Sequence, residues 1–151
     1  MKFAYLRWMV RSAMLFIVAG ALTGLLMQLA YRIPQLAWAH ALRSSHIHML
    51  LVGGVIQMIV GVALWMFPRR TEQPQWPTGA QGWTLYALLS GGTLLRALAA
   101  PFQLESTAAF VLATAGATMQ VAAIVMFIAL AYHRARGPRL DAERPQAKGE
   151  P

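Results

Sequence analysis

The sequence predicts an all-α fold, an integral membrane four-helix bundle with both termini on the cytoplasmic side. Three observations carry this. Of the 151 residues, 58% are hydrophobic and only 12% are charged, against roughly 25% charged in a soluble domain. Four apolar runs, at 12–31, 45–67, 81–100 and 106–132, are each about as long as a bilayer crossing, which takes ~20 residues at ~1.5 Å rise. The basic residues cluster at the ends of these runs, where positive-inside topology puts them. The net charge of +8 is therefore read as a topology signal, and no nucleic-acid partner is expected. There is no cysteine, which excludes disulfides, thiolate metal sites and a cysteine nucleophile. Histidine and methionine remain as metal donors.

Residues 1–11 read as a basic flank, with Lys2, Arg7 and Arg11 among the interfacial aromatics Phe3, Tyr5 and Trp8. The transmembrane domain then spans 12–133. Ala37-Trp38-Ala39 offers a cleavage pattern, but the first run is longer than the ~7–15 residues of a signal sequence, so a retained helix is expected. Gly20 and Gly24 form a GxxxG step on it, with Met27 and Gln28 continuing toward its far end. Pro34 breaks the connection to the second run. Trp38 and His40 suit an interface, and Ser44 or Ser45 is a candidate N-cap.

Residues 71–82 contain Pro74, Pro77 and Gly79 and read as a loop. The third run contains Gly91-Gly92 and Arg96 and closes at Pro101; the fourth is alanine-rich, with Thr114, Gly116, Thr118 and Gln120. Residues 134–151, rich in Arg, Pro, Glu and Lys, read as a disordered basic tail. With both termini inside, ten basic residues fall on the cytoplasmic side (Lys2, Arg7, Arg11, Arg69, Arg70 and the tail). Only Arg32 and Arg43 fall outside, and Arg96 is within the membrane. A bacterial inner (cytoplasmic) membrane protein is the expectation.

The organising stretch is 43–70, RSSHIHMLLVGGVIQMIVGVALWMFPRR, an apolar run that opens with two histidines. At ~100° per residue, His46, Leu50, Gly53, Gln57, Gly61 and Leu64 share one face. His48, Leu51, Val52, Val55, Ile59, Val62 and Met66 share another. Small and polar residues face other helices and branched aliphatics face lipid. His46 is thus expected to look into the bundle and His48 toward lipid or headgroups. An intramembrane Arg96 costs ~2.5–3.5 kcal/mol at a helix centre and less near an end. Snorkelling competes with pairing to an anion or to Glu105 as its reason. His46 is either an interfacial histidine bonded to a carbonyl or a metal or heme ligand.

The run Arg43-Ser-Ser-His46, continuing through Gly53-Gly54 to Phe67-Pro68-Arg69, resembles the second transmembrane helix of the heme-copper oxidase subunit I superfamily. There a comparable start carries an axial histidine of a low-spin heme b. Gly91-Gly92-Thr-Leu-Leu-Arg96 through Pro101 is similar to a segment of NnrS-type membrane proteins, linked to denitrification and nitric oxide stress. The resemblance covers about half of the chain. It implies heme b on His46; Arg43 and Arg96 would then meet the propionates, and the sixth position would be open, filled by Met27 from helix one, or supplied by a second copy. It also implies a partner in a respiratory or denitrification complex, or a second copy as a homodimer.

The chain departs from the subunit I pattern. It has four helices, not about twelve, and lacks the copper-binding histidines. It is not expected to reduce oxygen or nitric oxide alone. A copper-binding protein or assembly factor for a respiratory oxidase, using His40, His46, His48 and Met49, is an alternative expectation, and a cofactor-free structural subunit surrounded by membrane lipid is another.

Overall fold

Alanine, leucine and methionine dominate the runs and favour helix, and every described element is helical. The structure, a computed structural model, describes residues 4–66 and 77–135. They form α1 (Ala4–Ala30), α2 (Pro34–Met66), α3 (Gly79–Phe102) and α4 (Thr107–Ala135). Each is long and apolar enough to cross a membrane. The helices run alternately up and down. The C-terminus of α1, the start of α2 and the α3–α4 turn share one end, which contains His40. Arg69, Arg70, Lys2 and residues 136–151, and with them most of the basic clusters and the expected disordered tail, lie outside the described residues.

The predicted boundaries shift at four places. α1 starts at Ala4 rather than at 12. Tyr5, Leu6 and Met9 are buried while Arg7, Trp8 and Arg11 are exposed. The flank is thus an amphipathic turn of the same helix. Its buried side fits glycines: a Cβ on Gly82 would strike the Tyr5 ring, and one on Gly61 would meet Met9 at 3.2 Å. α2 starts at Pro34 because 34–42 winds as a 3₁₀ helix continuous with the rest. α3 starts at Gly79 behind a capping box: the Thr78 amide donates to Gln81 Oε1 (2.9 Å), and the Gln81 amide donates to Thr78 Oγ1 (3.3 Å). α4 runs on to Ala135, past the expected end at 132.

Within α2, Met49–Ile56 winds as a π-helix, and within α3 so does Ala87–Gly91. Outward faces are apolar: Leu51, Val55, Ile59, Val62 and Met66 on α2 are exposed, as are Leu15, Leu22 and Leu25 on α1. Gly53, Gln57, Gly61 and Leu64 are buried. The two-face reading of α2 thus describes its lower half, with Val52, buried at 8%, as an exception.

Helix packing follows the glycines. α1 lies along α2, and α4 packs principally on α3. Gly92 and Gly116 approach reciprocally: a Cβ on Gly92 would lie 2.8 Å from the Gly116 carbonyl oxygen, and one on Gly116 would lie 2.7 Å from the Gly92 oxygen. Between apolar helices in lipid, close backbone approach and hydrogen bonds replace the hydrophobic driving force. The hydrogen bonds are concentrated at Gln57, which is wholly buried. Its Nε2 donates to Met9 O (3.1 Å) and to Ser12 Oγ on α1, and its Oε1 accepts from Ser90 Oγ on α3 (2.9 Å). One turn along α3, Thr93 Oγ1 donates to Leu89 O (2.8 Å) and accepts from Gln120 Nε2 on α4 (3.1 Å). This belt ties all four helices together.

Candidate functional site

The chemistry-bearing residues gather at the His40 end. His46 turns toward α1. Its Nδ1 lies 2.8 Å from the Gly20 carbonyl oxygen. A carbonyl only accepts, so Nδ1 carries the proton, and in the neutral ring Nε2 keeps its lone pair. The ring rests over Gly24, where a Cβ would lie 2.6 Å from His46 Cε1. The GxxxG step of α1 therefore has a specific occupant on each glycine: Leu50 over Gly20 and the imidazole over Gly24. Met27 follows Gly24 by three residues, one turn along the same face, and is half-buried. Arg43, one turn before His46, is exposed.

Of the two surroundings expected for His48, lipid or headgroups, the lipid-facing one does not hold. Its Nδ1 is buried and has no hydrogen-bond partner, and the Arg96 guanidinium is close enough to act on it electrostatically. It faces α3 and the turn after it, not lipid. The two histidines stand about 200° apart on the helix, so with His46 against α1, His48 falls on the side where α3 packs. Arg96 Nε is likewise buried without a partner. Arg96 and His46, expected around one group, thus lie against different neighbours, Arg96 with His48 and His46 with α1.

His48 also lines a pocket of about 510 Å³ with His40, Arg43 and Glu105. The His40 ring meets Tyr31 edge-on, with centroids 5.0 Å apart. His40 and His48 therefore share a pocket from which His46 is turned away. Among the described residues, no three His, Cys, Asp or Glu side chains form a group able to hold a metal ion. Met49 begins the π-helical stretch and is half-buried.

Ser45 is not a cap. It is 2% exposed, and its Oγ donates to Ala97 O on α3 at 2.6 Å. Ser12, Ser90 and Thr93 were not singled out from sequence. Their signal was small hydroxyl residues within apolar runs, which in membrane helices mark interfaces. The chain matches no protein family, and no curated protein or solved structure is similar to it.

Proposed function

We propose that this chain is a multi-pass protein of the bacterial cytoplasmic membrane, with both termini inside, that binds heme b through His46. The reading is carried by the Nδ1–Gly20 carbonyl hydrogen bond. A ligating histidine characteristically donates its second ring N–H to a carbonyl, which orients the ring and raises the basicity of the other nitrogen. His46 thus has the donor chemistry of an axial ligand, and Gly24 leaves the room its ring requires. Bound heme supplies one-electron redox chemistry or a site for a diatomic gas.

In this reading His46 Nε2 would hold the iron. Met27 is the thioether on the neighbouring face of α1, while Arg43, expected at a propionate, lines the pocket from which His46 is turned away. Arg96 has His48 as its neighbour. A single histidine suffices for heme, whereas copper asks for several donors, and His40 and His48 lie on a different side of α2 from His46. The chain is then an accessory of a respiratory or denitrification complex and is not catalytic alone. A second reading, a cofactor-free structural subunit, is favoured by the Gln57 belt, in which the polar groups of Gln57 serve only packing.

The test is an absorption spectrum of purified protein, oxidised and dithionite-reduced, with pyridine hemochrome. Wild type and His48→Ala should show a Soret band, and His46→Ala should lose it. Equal heme loading in His46→Ala and wild type would discard the assignment. A folded wild type that takes up no heme on reconstitution would leave the structural reading in its place.

A further inference from the structure

We infer that the pocket at the His40 end binds the headgroup of a zwitterionic phospholipid bearing a primary ammonium, a phosphoethanolamine lipid. The inference rests on the membrane part of the proposed function and not on the heme.

Three observations carry it. First, the pocket holds charges of both signs that do not cancel. Arg43 and Glu105 both line it, yet they form no ion pair with each other. A cation and an anion held apart in one pocket complement a ligand with the opposite pair. A phosphate suits Arg43, and an ammonium suits the Glu105 carboxylate. A simple anion would be opposed by Glu105 and a simple cation by Arg43.

Second, unsatisfied polar groups lie just behind the inner wall. His48 lines the pocket, and its Nδ1 is buried without a partner; behind it, Arg96 Nε is buried without one too. Leaving such groups unpaired costs ~1–3 kcal/mol each. His48 Nδ1 is itself closed off, so a phosphate in the pocket would act on these groups through its negative charge, which offsets the buried guanidinium.

Third, the remaining walls are apolar and continue onto the lipid-facing exterior. Ile47, Ala100, Pro101 and Leu104 line the pocket, and Leu104 is 96% exposed. Phe102 beside it is 58% exposed. A free phosphate or free phosphoethanolamine has no use for this rim, whereas a glycerol backbone and acyl chains do. The volume of about 510 Å³ lies within the range for a small-ligand site.

The experiment is native mass spectrometry of detergent-purified full chain, after exchange with equimolar phosphatidylethanolamine and phosphatidylglycerol. Wild type should retain the ethanolamine lipid in preference. Glu105→Gln should lower the ethanolamine-to-glycerol ratio by about tenfold, the scale of one lost charge-assisted hydrogen bond. Arg43→Gln should weaken retention of both lipids. His46→Ala should lose heme and keep the lipid ratio, which separates this proposal from the heme assignment. Helical circular dichroism confirms that each variant is folded. No preference in wild type, or an unchanged ratio in folded Glu105→Gln, would overturn the inference. Displacement of the lipid by free phosphoethanolamine at micromolar concentration would also overturn it, because the apolar rim would then be irrelevant.

Discussion

His46 and His48 are two residues apart and have opposite circumstances. His46 has its Nδ1 proton committed to a backbone carbonyl and its ring seated on a glycine. His48 has a buried, unpartnered Nδ1 beside an arginine. Their variants should therefore separate. His46→Ala should reduce the heme-to-protein ratio to background, and Arg96→Leu should leave it near wild type. An equal loss in both, measured by pyridine hemochrome on parallel preparations, would return Arg96 to the heme. Gly24→Ala tests the same site without removing any ligand. Its new methyl would fall 2.6 Å from His46 Cε1, so the ring must leave its bond to Gly20. Heme retention should fall in Gly24→Ala, while Gly79→Ala, where a Cβ meets nothing, should be neutral by the same assay. The inward turn of His46 was readable from helical spacing. That of His48 was not, because the spacing sets it opposite His46 without saying which helix packs on that side.

At the scale of the helix, two kinds of contact hold the bundle together, and they differ in cost. Gln57 makes three interhelical hydrogen bonds, each worth ~0.6 kcal/mol on average inside a membrane protein. Gln57→Leu keeps the volume but loses the bonds. Ser12 can still bond to Trp8 O at 2.6 Å within its own helix, so no strong orphan remains there. The expected destabilisation is about 2 kcal/mol. Gly92→Leu is different, because the atom in the way is the backbone carbonyl of Gly116. Backbone cannot rotate aside as a side chain does, so α3 and α4 must separate along their main contact. The cost should exceed that of Gln57→Leu, at about 3 kcal/mol or more. Unfolding in mixed micelles with increasing dodecyl sulfate, followed by circular dichroism, ranks the two; the reverse order would mean that hydrogen bonding dominates this bundle. The existence of the four helices and the inward position of Gln57 and Gly61 were legible in the apolar lengths and the 3.6-residue period. The start of α1 was obscured because Arg7 and Arg11 share a turn with Tyr5, Leu6 and Met9, and only the packing of Tyr5 on Gly82 shows which side matters. The start of α3 was written in Thr78-Gly-Ala-Gln81, a capping box behind Pro77.

For the whole molecule, the four antiparallel helices bring Tyr31, Trp38, His40 and the α3–α4 turn to one end and Thr78 to the other. Charge then decides which end faces out. The sequence assigns ten basic residues to the Thr78 end and two, Arg32 and Arg43, to the His40 end. The positive-inside rule counts only lysine and arginine close to the spans, and in the proposed reading an imbalance of this size would orient the bundle with the His40 end outward. That proposed orientation would put His46 and the pocket on the side of the membrane away from the cytoplasm. The chain has no cysteine, so single introduced cysteines report without background. Trp38→Cys, at a position 59% exposed, should react with a membrane-impermeant maleimide in intact spheroplasts. Thr78→Cys should react only after the membrane is permeabilised. Labelling of Thr78→Cys in intact spheroplasts, with Trp38→Cys protected, would invert the molecule. The charge argument would then have failed, and the His46 end would face the cytoplasmic pools of reductant and gas instead.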